Sequence, residues 1–86
     1  MSKIATVLAD AQYLIRVGLR HLLEGIETIE IVGEAPNERR LLPIVEEKRP
    51  DVIILDYSQE GSFDKTIIKK IRAISSNSKI LIISDD

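Results

Sequence analysis

Cysteine is absent from this chain of 86 residues, so it holds neither a disulfide framework nor a thiolate metal site. Tryptophan is absent too, and there is one phenylalanine, which leaves no aromatic platform for single-stranded nucleic acid. An excess of one charge is also lacking. A formal net charge of −2 offers no electrostatic footprint for nucleic acid. Long hydrophobic runs are missing, since the longest apolar stretches are far too short to span a bilayer. Met1-Ser2-Lys3 leads straight into a strand-like run without a signal-peptide hydrophobic region. A cytoplasmic location with no membrane partner is therefore expected. The length suits one small domain, residues 1–86, of a size that is only marginally stable alone.

What is present is 44% hydrophobic residues, mostly isoleucine, leucine and valine. That mixture suits parallel strands covered by helices. Strand-like and helix-like periods alternate along the chain, the pattern of an α/β domain. Strands are predicted over roughly Lys3 to Ala9, Thr28 to Glu34, Asp51 to Leu55 and Lys79 to Ile83. In the second of these, Ile29, Ile31 and Gly33 are expected to face one way, with Glu30 marking a half-exposed edge strand. A first helix is predicted from about Gln12 to Glu24, with Leu14, Val17, Leu22 and Ile26 marking one face and Gly25 near its stop. Asn37 is a candidate cap for a second helix, which Pro43 either delays or bends and Pro50 ends. Asp64 is a candidate cap for a third, with a stripe of Ile67, Ile68, Ile71 and Ile74. The polar stretch Tyr57 to Phe63 and the segment Ser75 to Ser78 read as loops. Right-handed crossovers bring the strands into one parallel sheet.

The chemistry lies at the strand ends. Asp56 follows the unbroken apolar run Val52-Ile53-Ile54-Leu55, Asp10 ends the run Ile4 to Ala9, and Ser84 follows Ile80 to Ile83. Open α/β sheets place their binding crevice at the carboxyl ends of their strands. A carboxylate there can act as a nucleophile toward a phosphoryl donor. Two carboxylates from adjacent strands can hold a hard divalent cation, which phosphoryl transfer uses to neutralise charge. Any one such polar residue after a strand is explained by the chain leaving the core for water; two carboxylates and a hydroxyl together point to a phosphorylation or metal site. No lysine or arginine occupies the strand-end loops, and Arg39, Arg40, Lys48, Arg49, Lys69, Lys70 and Arg72 read as solvated helix faces. His21, mid-helix, reads as a surface residue, and Tyr13 and Tyr57 flank the acids as packing or pocket-mouth residues.

The stretch from Val7-Leu8-Ala9-Asp10-Ala11-Gln12 through Leu14-Ile15-Arg16-Val17-Gly18-Leu19-Arg20-His21-Leu22-Leu23-Glu24 resembles the start of a response-regulator receiver domain. It is closest to the branch that carries a carboxyl-terminal helix-turn-helix DNA-binding domain. Ile31-Val32-Gly33-Glu34-Ala35, Arg49-Pro50-Asp51-Val52-Ile53-Ile54-Leu55-Asp56 and Lys79-Ile80-Leu81-Ile82-Ile83-Ser84 match in order and spacing. The resemblance covers the whole chain. It implies a flavodoxin-like doubly wound parallel sheet with strand order 2-1-3-4. It would be incomplete, because the family's fifth strand and last helices would lie beyond Asp86.

The resemblance also implies roles. Asp56 is the phospho-acceptor. Mg²⁺ is held by Asp10, Asp56 and the backbone carbonyl of Ser58. Ser84 is the switch hydroxyl. The partners implied are a sensor histidine kinase, DNA only through an output domain outside this chain, and a second copy joined through the fourth-strand edge or by exchange of elements. No enzyme activity is implied beyond autocatalysed phosphorylation. Two departures stand out. Ala11 replaces the family's second acid, usually a direct metal ligand, so Mg²⁺ is expected to bind weakly. Gln59-Glu60-Gly61 stands where Met-Pro-Gly is usual. The alternative is an atypical, phosphorylation-independent receiver acting as a dimerisation or ligand-binding module. A metal-dependent phosphohydrolase would need a second acid two positions past its nucleophile; Ser58 and Gln12 stand there instead.

Overall fold

The computed structural model describes residues 3–56, 63–64 and 66–83. In chain order these form β1 (Ile4–Ala9), α1 (Tyr13–Glu24), β2 (Ile29–Ala35), α2 (Glu38–Lys48), β3 (Val52–Asp56), α3 (Ile67–Ile74) and β4 (Lys79–Ile83). The strands pair in parallel in the order β2-β1-β3-β4. The alternation of apolar runs predicts the parallel sheet, and its flavodoxin-like order is the one that the resemblance implies. β1 and β3 are central, so the residues that leave them converge.

One face of the sheet carries the main core. Val7 and Ala9 of β1, Ala35 of β2, and Ile53 and Leu55 of β3 pack under Leu41 and Val45 of α2 and Ile67 and Ile71 of α3, with Phe63 beside them. The isoleucine stripe of α3 thus faces inward, as its spacing predicts. Asn37 caps α2 by accepting a 3.0 Å hydrogen bond from the Arg40 N–H. Pro43 sits inside α2, with the helix running through it from Glu38. Its ring is exposed, where it displaces no core packing. The cap of α3 differs from expectation. Thr66 is the capping residue, while Asp64 accepts from the Thr66 N–H at 3.0 Å, ordering the turn before the helix.

β2 corrects the expected alternation. Thr6 pairs with Ile31 but Val7 pairs with Gly33, so Val32 is an extra residue in the ladder. Such a bulge reverses which side later residues face. Gly33 consequently turns toward α2, where a Cβ would stand 2.8 Å from Ile44 Cγ2. Glu34 pairs with Leu8 and turns to the opposite face, toward α1.

That opposite face is only half covered. α1 packs against β2 and β1, and none of its residues is fully buried. The predicted apolar face of α1 is a real stripe but does not meet the sheet. Leu14 is 79% and Leu22 70% exposed, and Val17 and Ile26 are also exposed. Leu81, which pairs with buried Ile54, is likewise exposed.

Candidate functional site

The site is built by the carboxyl ends of β1 and β3. The Asp10 N–H continues the β1–β2 ladder by donating to the Ala35 carbonyl at 3.1 Å, which anchors the backbone where the chain leaves the sheet. Asp10 Oδ1 then accepts a 2.8 Å bond from the Gln12 N–H, a turn typical of aspartate after a strand. Asp56 is the last residue of β3. Both acids are buried, Asp10 2% and Asp56 7% exposed, although each stands where the chain exits toward water. Burial therefore does not follow from position at a strand end alone.

Burial is the main force pushing the Asp10 carboxyl above its ordinary range, opposed by the Gln12 N–H. The Asp56 carboxyl raises it further, by hydrogen bonding and by charge, while Arg16 lowers it. Asp10 Oδ2 is buried with no donor of its own. It can share a hydrogen bond with Asp56 only when one of the two acids carries a proton. Ionised, the pair presents two close negative charges and an unserved oxygen, which is what a hard cation seeks.

A cation is already beside them. Arg16, in the first turns of α1, reaches back so that Nη1 donates to the Asp10 carbonyl at 2.5 Å. Its Nε donates to Glu34 Oε1 at 3.3 Å, and the Arg20 guanidinium pairs with the other oxygen of Glu34. The Tyr13 ring lies 5.6 Å from the Arg16 guanidinium carbon and is itself exposed. Sequence reasoning missed Arg16, having sought cations only in the loops. The available signal was the four-residue spacing of Arg16 and Arg20 on one helix face. Its target, Glu34, faces α1 only because of the bulge in β2.

Two carboxylates and an unserved oxygen fit a divalent cation. The third acid that would complete the set is absent, because Ala11 presents a methyl group at a half-buried position. Among the described residues there is no group of three or more histidine, cysteine or acidic side chains placed to hold a metal ion. Ser58, with its expected backbone ligand, Ser84, the expected switch hydroxyl, and Tyr57 lie outside the described residues. His21 is exposed, as its helix position suggested. No helix among the described residues is long and apolar enough to cross a membrane.

No family model matches the chain. Curated relatives do. The transcriptional regulatory protein LiaR of Bacillus subtilis is 32% identical over 81 residues, 94% of this chain and 38% of the relative. The nitrate/nitrite response regulator NarL of Escherichia coli K12 is 30% identical over 78 residues, 91% of this chain and 36% of the relative. The chain thus spans well under half the length of these relatives. Among solved structures, the signal receiver domain of a NarL response regulator from Mycobacterium tuberculosis superposes with a TM-score of 0.88 at 27% identity. The match covers 100% of this chain and 69% of that one. The isolated receiver domain of RcsB from Salmonella enterica serovar Typhimurium, solved with the phosphomimetic BeF₃⁻, gives 0.85 at 27% identity, over 99% of this chain and 64% of that one. Fold, strand order, the acid pair and relatives in both comparisons agree: the chain belongs to the receiver domains of two-component response regulators of the NarL/LuxR family.

Proposed function

We propose that this chain receives a phosphoryl group on Asp56 and so controls an attached transcription-regulating output domain. The observation that carries the reading is the burial of Asp10 and Asp56 together at the ends of the two central strands. An Asp56 carboxylate oxygen attacks the phosphorus of the donor. The bond from phosphorus to the donor's leaving group breaks, the electron pair departs with that group, and an aspartyl phosphate remains. Asp10 and Asp56, with the Ser58 backbone carbonyl, would hold Mg²⁺. When bound, that ion supplies charge neutralisation for the transferring oxygens. Asp10 is kept in place by the Gln12 N–H, which donates to its carboxylate. Ser84 is proposed to sense the new phosphoryl oxygens through its hydroxyl.

In this reading the phosphoryl donor is a sensor histidine kinase, which implies a cytoplasmic location. DNA is contacted only through the output domain. Response regulators similar to this chain support the assignment, and so does the similarity to the RcsB receiver solved with a phosphomimetic. The test is mass spectrometry after incubation with a small acyl-phosphate donor and Mg²⁺. A labile adduct should form on the chain and be missing from Asp56→Asn; an adduct that persists in that variant removes Asp56 as the acceptor.

Ala11 favours a second reading, an atypical receiver that works without phosphate as a dimerisation module. For the 86 residues by themselves, the surface in question is the edge of β4, where Leu81 and Ile82 are 55% and 45% exposed. The proposed partner is a second copy of the chain, joined along that edge or by exchange of elements.

A further inference from the structure

The Arg16 side chain is only 12% exposed, and its guanidinium is joined to the backbone of one acid of the pair and to Glu34. Glu34 needs one cation and has two, because Arg20 also serves it. The two arginines against Asp10, Asp56 and Glu34 leave a single net negative charge across the cluster. A site with an acid at position 11 would carry one more. We propose that Arg16 is a resident positive charge of the acid site, doing part of the neutralisation that a divalent ion would otherwise do. It acts through its charge and touches no reacting atom. The proposal rests on the acid pair being the receiver site described above.

The physical reason is charge spacing. A guanidinium bonded to the Asp10 carbonyl lies within coulombic range of the Asp10 carboxylate. A charge in a half-desolvated position acts more strongly than one in water. It stabilises the Asp10 carboxylate beside it without a metal, and it repels any divalent ion that enters. Replacing Arg16 by a neutral residue should therefore strengthen Mg²⁺ binding, whereas a residue that merely braces the site would weaken it when lost.

The test is Mg²⁺ calorimetry on the 86-residue chain carrying Ala11→Asp, so that affinity is measurable throughout. Adding Arg16→Met should tighten binding about tenfold. Adding Arg16→Lys, which keeps the charge but cannot span the Asp10 carbonyl and Glu34 together, should leave it within about twofold. Arg16→Gln, neutral yet still able to donate a hydrogen bond, guards against loss of folding in the methionine variant and should also tighten binding. Neutral variants that bind no more tightly than their parent overturn the proposal. So does a lysine variant that behaves like the neutral ones. Because Mg²⁺ affinity is read without any phosphoryl donor, absence of an Asp56 adduct would remove the phosphorylation reading and leave this outcome standing.

Discussion

Asp10 and Asp56 are buried side by side, and the Asp10 carboxyl, already pushed up by its burial, is raised further by its neighbour. Two close acids at the rim of a sheet oppose folding whenever both are ionised. That cost is typical of sites selected for binding and not for stability.

Removing the charge of Asp10 should therefore stabilise the chain. Below the ordinary aspartate value of 3.8, folded and unfolded chains both hold the proton and Asp10 imposes no ionic penalty. Above its raised folded value, both have lost the proton and the whole penalty is present. Between them the folded chain binds more protons, so stability falls as pH rises through the window. Asp10→Asn should gain on the order of 1 kcal/mol at neutral pH. The gain should shrink as pH approaches about 4. Thermal melts across this range check it; an asparagine variant that melts no higher than its parent at neutral pH contradicts the account.

Ala11→Asp should restore a third acid at the end of β1. A hard cation gains strongly from one more anionic oxygen, so Mg²⁺ affinity should rise about tenfold or more. Calorimetry is the measurement, and tight binding by the original chain, unchanged by the substitution, would refute the role given to position 11.

Gly33→Ala tests the bulge in β2. The new Cβ would stand 2.8 Å from Ile44 Cγ2, and a crowded core position of this kind costs about 1–3 kcal/mol. Ile44→Ala removes that methyl group, so the double variant should lose less than the two single losses added together. Urea denaturation of the four proteins gives the coupling; simple additivity would mean that the two residues do not meet as described.

The β4 edge predicts association. Sedimentation equilibrium of the 86 residues at high micromolar concentration should show dimers or larger species. Ile82→Lys, which puts a charge on the exposed edge, should shift them toward monomer. A folded monomer at that concentration removes the self-association proposal.

The strands were legible because buried parallel strands need continuous apolar runs, and Ile53 to Leu55 or Val7 to Ala9 can hardly be anything else. Their parallel arrangement followed from crossover handedness and their order from the resemblance to receiver domains, and Asp10 and Asp56 followed from their places at the ends of the runs. The Asn37 cap and the α3 stripe are local, set within a few residues, and they too could be read. Other features depend on what lies across space. The bulge at Val32 is a matter of pairing with β1, and it alone decides that Glu34 faces α1 and that Gly33 meets Ile44. Arg16 looks like any helix arginine until that turn of β2 presents Glu34 to it. The apolar stripe on α1 has the period of a buried face, yet it stays exposed because, among the described residues, no element covers it. Periodicity along the chain determined which elements form and which side of each is apolar. Only the tertiary structure decided what each side meets, because contact and charge pairing are relations between segments distant in sequence.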